Sequence, residues 1–346
     1  MNKDLEMVMN DGMALENVKE QTPEMCMIAV KENGFALKIV KEQTEEICLE
    51  AVKVCGSALK YVKEQTEEIC LSAVKQDGRA LKYVKEQTPE ICLAAVRRNG
   101  IVLQYVKNQT REICLEAVKE NGFALKYVKE QTPEICLAAV KQDGWALEYV
   151  KDQTEEICLA AVSNNGNALQ FVKQQTPELC KIAVGVKPKA LKYVKEQTPE
   201  LCKIAVGIKP KALKYVKEQN EEICSIALSK KVKTLKYVKN QTKEMCIDAI
   251  QTNILTIFYV NYELFSKRDG YYYIDGLDTV RLYNCTNRNI LVDIRNTNEP
   301  LFYIGCKKRM TKDKFIYRIY NKDGGFDLEK GINPHRQEYL NILAQY

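Results

Sequence analysis

The sequence predicts a mainly α protein, an α-solenoid of about eleven 22-residue helix-turn-helix repeats followed by a small β-rich α+β domain at the C-terminus. The first observation is a register. Stepping by 22 residues from Cys136 meets Cys26, Cys48, Cys70, Cys92, Cys114, Cys158, Cys180, Cys202, Cys224 and Cys246, with no insertion between them. A fixed period of this length marks units that bury their apolar faces against their neighbours. The second is punctuation that recurs with the register, T-P-E or T-E-E before an apolar run and Gly after it. The third is a change beyond residue 265, where the chain turns aromatic and β-branched.

One unit, ALKYVKEQTPEICLAAVKQDG at Ala124 to Gly144, shows how each helix is written. Thr132 is the N-cap of the longer helix, Pro133 sits where a missing N–H costs nothing, and Glu134 complements the positive helix end. Ile135, Cys136, Ala139 and Val140 form its apolar stripe. Gly144 is expected to close this helix in the left-handed conformation. The shorter helix is expected over Ala124 to Gln131, with Leu125 and Val128 on a shared face.

Columns that hold across the copies report what every copy must do to dock on its neighbour. Valine recurs from Val18 to Val260, alanine from Ala29 to Ala249, glutamine from Gln21 to Gln241, lysine from Lys19 to Lys239 and glutamate from Glu24 to Glu244. The Gln, Lys and Glu columns read as a repeating hydrogen-bond and charge ladder that satisfies helix ends, in preference to a periodic ligand site.

At 346 residues and 46% hydrophobic content, the chain has room for more than one folding unit and the composition of a globular protein. No apolar run approaches a membrane span, and Met1 to Gly12 lacks the apolar core of a signal peptide. The expectation is a cytoplasmic protein without membrane contact. The 14 cysteines fit that compartment, because the ladder thiols lie on buried stripes and act as small hydrophobes.

In chain order, residues 1–12 read as a polar capping helix with Asp4 in the cysteine column, and residues 13–265 as the repeats. Near residue 180 the turn glycines give way to Pro188, Pro210 and Val232, and Gly185 and Gly207 appear three residues earlier. The longer helix is expected to end a turn sooner there, followed by an extended V-K-P or I-K-P linker. Charge changes at the same place. Residues 1–180 carry 22 basic against 28 acidic side chains, and residues 181–243 carry 16 against 5.

Lys181 and Lys203 replace the Leu137 column, while Lys187, Lys189, Lys209, Lys211, Lys230, Lys231 and Lys233 gather at the turns. A ridge of this kind suits phosphates or an acidic protein, and a solvated lysine-rich edge also fits. The Tyr127 column is assigned to core or half-buried packing and not to base stacking. The residue after each turn glycine varies, and Ile101, Phe123 and Trp145 stand there in successive copies. Both a partner-binding patch and packing against the next helix pair fit these three.

Beyond Gln251 the pattern dissolves, although Tyr259 and Val260 keep their columns and Phe258 takes a normally polar one. Residues 266–346 are expected to form a mostly antiparallel sheet. Ser266 to Gly270 is read as a turn-like break, YYYID, TVRLY, NILVDI, PLFYIG and KFIYRIY as strand segments, and the chain after Pro334 as a closing helix.

The recurring Ala-Leu-x-Tyr-Val, Gln-Thr-Pro-Glu-Ile-Cys and Ala-Val-x-x-x-Gly resemble the repeat family called domain of unknown function 4116, over residues of about 13–250. The resemblance implies a source among giant DNA viruses of amoebae and no established chemistry. The Pro188 and Pro210 units depart from the family pattern.

No phosphate-binding loop, nucleophile elbow or Cys-x-x-Cys occurs, and the single histidine, His335, is read as a surface or capping residue. The sequence therefore points away from an enzyme and from any cofactor or metal. The expected function is a non-catalytic protein-protein interaction scaffold, probing its partner with the solenoid surface and the C-terminal domain. Nucleic-acid binding by the lysine ridge is the alternative, and a structural or assembly role is the third reading.

Overall fold

A computed structural model of the chain describes residues 3–268, the segments 271–273, 280–284, 289–293 and 301–304, and positions 311 and 342. It divides into two compact units, Met1–Glu196 and Gln197–Tyr346. That division falls inside the repeat array, not at its end.

Each repeat pairs a ten-residue α-helix with a six-residue 3-10 helix, here Pro133–Gln142 and Gly144–Tyr149. Thr132 is extended, and its Oγ1 accepts from the Ile135 N–H at 3.3 Å, so the expected cap is formed. Asp143, also extended, does two jobs between the helices. Its N–H closes the α-helix on the Ala139 carbonyl at 2.9 Å, and its Oδ1 opens the 3-10 helix by accepting from the Trp145 N–H at 2.9 Å.

The turn glycines therefore do not close the α-helix in a left-handed conformation; each is the first residue of the 3-10 helix that follows. Glycine is needed there for a different reason. A Cβ on Gly122 would lie 2.7 Å from the Ala139 carbonyl oxygen of the next repeat, and one on Gly100 would lie 2.2 Å from that of Ala117. The glycine and alanine columns are thus one contact seen from both sides.

The short helix also differs from expectation, since it spans Gly122–Tyr127 and Val128 is already extended. With about three residues per turn, Leu125 and Val128 both face inward, and Lys126 and Tyr127 face outward. In the unit Met1–Glu196, α-helices pack on neighbouring α-helices and 3-10 helices on neighbouring 3-10 helices, giving two layers. Ile135, Cys136, Ala139, Val140, Ala124, Leu125 and Val128 fill the space between them and are buried. The helix Lys3–Asn10 covers the first repeat with a fully buried Val8.

The lysine-rich repeats keep the same element lengths. The α-helices Pro177–Val186 and Pro199–Ile208 run their full ten residues through Gly185 and Gly207, and no extended linker follows them. Only Lys187 and Lys209 are extended, each closing its helix on an alanine carbonyl. Pro188 and Pro210 then open the 3-10 helices, where the absent N–H is no loss.

Beyond Phe265, the described strands are β1 Ser266–Arg268, β2 Tyr271–Tyr273, β3 Val280–Asn284, β4 Asn289–Asp293 and β5 Leu301–Ile304. They pair antiparallel in sequence order, with Ser266 opposite Tyr273 and Leu282 opposite Leu291. Ser266–Arg268 is thus strand and not a break, since its backbone ladders with the tyrosine run. KFIYRIY and His335 lie outside the described residues, and of the helix expected after Pro334 only Ile342 is described, as a buried helical residue.

Candidate interaction surfaces

The glutamine column is consumed by the architecture. Gln131 Nε2 donates to the Tyr149 carbonyl of the next repeat at 2.9 Å and to the Leu125 carbonyl of its own at 3.4 Å. Its Oε1 accepts from the Lys151 N–H at 3.0 Å and from the Cys136 thiol at 3.6 Å. One side chain thereby satisfies the Tyr149 carbonyl and the Lys151 N–H and adds a second bond to the Leu125 carbonyl, which already accepts from the Val128 N–H. The pattern recurs from Gln21 to Gln109 at the start of the chain and again at Gln219 and Gln241.

The lysine column adds a second string of bonds, with Lys129 Nζ donating to the Lys107 carbonyl at 2.9 Å and Lys239 Nζ to that of Lys217 at 2.6 Å. The glutamate column makes no such string: among the described residues its ion pairs are Arg111 with Glu134 and Lys203 with Glu222. Its carboxylates stand at exposed helix starts, where the dipole accounts for them.

Exposed and half-buried aromatic side chains line the outer side of the 3-10 layer. Phe123 is 36% exposed and meets Tyr149 edge-on at 6.1 Å, and Trp145 is half-buried and meets Phe171 edge-on at 5.5 Å. Phe35 and Tyr61 form the same pair at 6.3 Å. Ile101 is half-buried in the same column. Phe35, Phe123 and Trp145 thus pack on the next repeat's ring and still show an aromatic edge to solvent.

The tyrosine column is half-buried, in line with the packing role expected for it. Tyr127, Tyr149, Tyr193, Tyr215 and Tyr237 are half-buried, and Tyr105 is 37% exposed. Lysines of the preceding column lie over these rings, Lys192 over Tyr193 at 4.3 Å and Lys214 over Tyr215 at 4.7 Å. The sequence carries this as a Lys-Tyr dipeptide directly before the inward valines Val62, Val84, Val128, Val194, Val216 and Val238. At three residues per turn Tyr127 stands beside the inward Leu125 and Val128 and keeps part of its ring in solvent.

The lysines singled out by sequence fall on two surfaces. Lys181 is exposed on the α-helix Pro177–Val186, and Lys203 is half-buried on Pro199–Ile208, with its Nζ 2.7 Å from Glu222. That hydrogen bond raises the Lys203 pKa. The others gather where an α-helix passes into a 3-10 helix. Lys187 and Lys189 do so in the first unit, and Lys209, Lys211, Lys230, Lys231 and Lys233 in the second; all are exposed. Lys230 Nζ donates to the Gly207 carbonyl. Lys187, Lys209 and Lys231 occupy the cap position held by Asn or Asp in the earlier repeats other than that of Cys55 and provide no side-chain cap, so these repeats trade a cap bond for positive charge.

The described cysteines are free thiols, and all but the half-exposed Cys55 are buried. Burial raises the pKa of every ladder thiol, Cys246 to about 11, which leaves them protonated and unreactive at neutral pH. Among the described residues no cluster of His, Cys, Asp and Glu could hold a metal ion, and no helix is long and apolar enough to cross a membrane. A groove of about 380 Å³ opens beside Lys151, Glu155 and Lys173, but two of its walls are Gln153 and Cys158, already bonded to each other in the ladder.

No curated protein and no solved structure matches the chain. The family described as domain of unknown function (DUF4116) matches residues 22–66, 44–88, 66–111, 88–132, 110–154 and 154–197. These matches step along the same repeat whose Gln, Gly and Ala columns lock neighbours together, and they jointly cover just over half of the sequence, so the chain belongs to the DUF4116 repeat family.

Proposed function

We propose that the protein is a non-catalytic scaffold that binds a protein partner through the outer side of the 3-10 layer in residues 1–196. The observation that carries this reading is a division of labour between columns. The invariant glutamine, lysine and alanine columns, with the glycines from Gly12 to Gly166, hold repeats together, whereas the column of Phe35, Ile101, Phe123 and Trp145 varies and keeps aromatic surface in solvent. Interfaces draw much of their binding energy from a few aromatic anchors set in packed surroundings. Buried reduced thiols suit such a scaffold to a reducing compartment such as the cytoplasm.

The test is affinity capture from the native setting, followed by titration of the captured protein against purified variants. The double variant Phe123→Ser, Trp145→Ser should weaken binding at least tenfold, and Leu137→Ser on the α-layer should leave it unchanged. Equal binding by the first variant contradicts the reading. Concentration-dependent self-association with no partner captured would instead favour an assembly role.

A further inference from the structure

Residues 197–260 present a surface of different chemistry from the aromatic row of the first unit. Between 197 and 243 there are eleven lysines and four glutamates. The acidic groups are not mixed among the basic ones. Glu200, Glu221 and Glu222 occupy the first turns of their α-helices, and Glu218 lies in the loop before the second of these. Lys209, Lys211, Lys231 and Lys233 stand at the other end of the repeat, about 12–15 Å away along either helix. Among the described residues none of these four lysines has an acidic side chain within ion-pair distance, so their field is left for a ligand.

The same surface carries rings. Tyr215 and Tyr237 are half-buried, with Lys214 Nζ 4.7 Å from the first and Lys236 Nζ 4.9 Å from the second. Lys236 also lies 5.6 Å from the Tyr259 ring, so lysine and tyrosine alternate from one repeat to the next. In this unit the variable column itself is Lys211 and Lys233, where the first unit has Phe123 and Trp145. An acidic polypeptide would use the lysines and leave the rings idle. A single-stranded nucleic acid uses both, phosphates on the lysines and base faces on the tyrosines.

We infer that the 3-10 face of residues 209–259 is a binding site for single-stranded nucleic acid, with Tyr215 and Tyr237 stacking bases and Lys209, Lys211, Lys231 and Lys233 holding phosphates. About one base per repeat is the natural spacing, as in other stacked helical repeats that read RNA. Nothing on this face offers a fixed set of donors and acceptors for base edges, so binding tolerates sequence. This site is independent of the aromatic row in the first unit, and either can fail without the other.

The experiment titrates the full chain into fluorescein-labelled 20-nucleotide oligouridylate and oligothymidylate, with a duplex of the same length and poly-glutamate as competitors. Saturable binding to the single strands is expected, with log K falling linearly in log salt. Lys211→Gln with Lys233→Gln should reduce that salt slope by about 1–2. Tyr215→Leu with Tyr237→Leu should weaken binding about tenfold or more at an unchanged slope, and Tyr215→Phe with Tyr237→Phe should retain it. Photocrosslinking of 4-thiouridine to the unsubstituted protein, which needs no variant to fold, should label peptides containing Tyr215 or Tyr237. Absence of binding, indifference to the leucine variants, crosslinks confined elsewhere, or competition by poly-glutamate equal to that by oligonucleotide would overturn the assignment. The last result would identify an acidic protein as the occupant.

Discussion

Gln131 holds the Tyr149 carbonyl of the following repeat through its side-chain amide at 2.9 Å. The contact spans 18 residues of chain, and Lys151 N–H returns to the same glutamine, so the repeats are stitched by a side chain where a sheet would use backbone. Gln131→Leu keeps the volume and removes both partners. A loss of about 1–2 kcal/mol is expected in urea unfolding, since an unsatisfied polar group costs about 1–3 kcal/mol when buried and the Tyr149 carbonyl contact is part-buried while that of the Lys151 N–H is exposed. Gln131→Glu should be at least as destabilising at pH 7, where a carboxylate would face two carbonyls.

The glycine column makes a paired prediction. Gly100→Ala places a methyl 2.2 Å from the Ala117 carbonyl oxygen and should cost about 1–3 kcal/mol. Gly185→Ala, where nothing lies within 4 Å inside an α-helix, should stabilise by about 0.5–1 kcal/mol. Thermal unfolding of the two variants separates a glycine required by contact from one that is not.

Cys55 stands at a cap position and provides no side-chain bond, whereas Asn33 and Asp77 in the neighbouring repeats do. Cys55→Asp should restore the bond to the Ser57 N–H and add about 0.5–1 kcal/mol. Cys55→Ala should be near neutral in the same assay.

Alkali tests the thiol ladder. Burial raises the ladder thiols in the folded state, so above the unfolded thiol pKa of about 8.5 the unfolded chain releases protons that the folded chain keeps. Stability is then complete below about pH 8.5 and falls as pH rises from there toward the folded values, by up to about 1.4 kcal/mol per pH unit for each thiol involved. A flat stability profile between pH 8 and 10 would show that the thiols contribute nothing.

Much of the fold was legible because repetition amplifies it. Ten copies of a threonine, and Asn220 in the eleventh, before an apolar run fixed the α-helix starts, and each of these caps accepts as expected. Gly144 misled because a glycine after a helix and a glycine before one look alike in sequence, and only the carbonyl of Ala161, 2.5 Å from a would-be Cβ, tells them apart. Gly185 and Pro188 misled in the same way, since the helix between Pro177 and Val186 is held by its neighbours and not by local propensity. The candidate surface was half legible. Charge located the lysines, while the outward turn of Tyr215 depends on the 3-10 geometry, which periodicity over six residues cannot specify.

The central claim is that the 22-residue unit is the complete quantum of this architecture, with the Gln column reproducing the same junction at each step. Deleting residues 111–132 joins Thr110 to Pro133 and recreates a native Thr-Pro junction. Circular dichroism with urea unfolding should then show the same helical signal per residue and a single cooperative transition, at a lower midpoint because one junction is gone. Deleting only 111–128 should abolish that transition. Loss of cooperative folding in the 22-residue deletion, or its survival in the shorter one, would contradict the account.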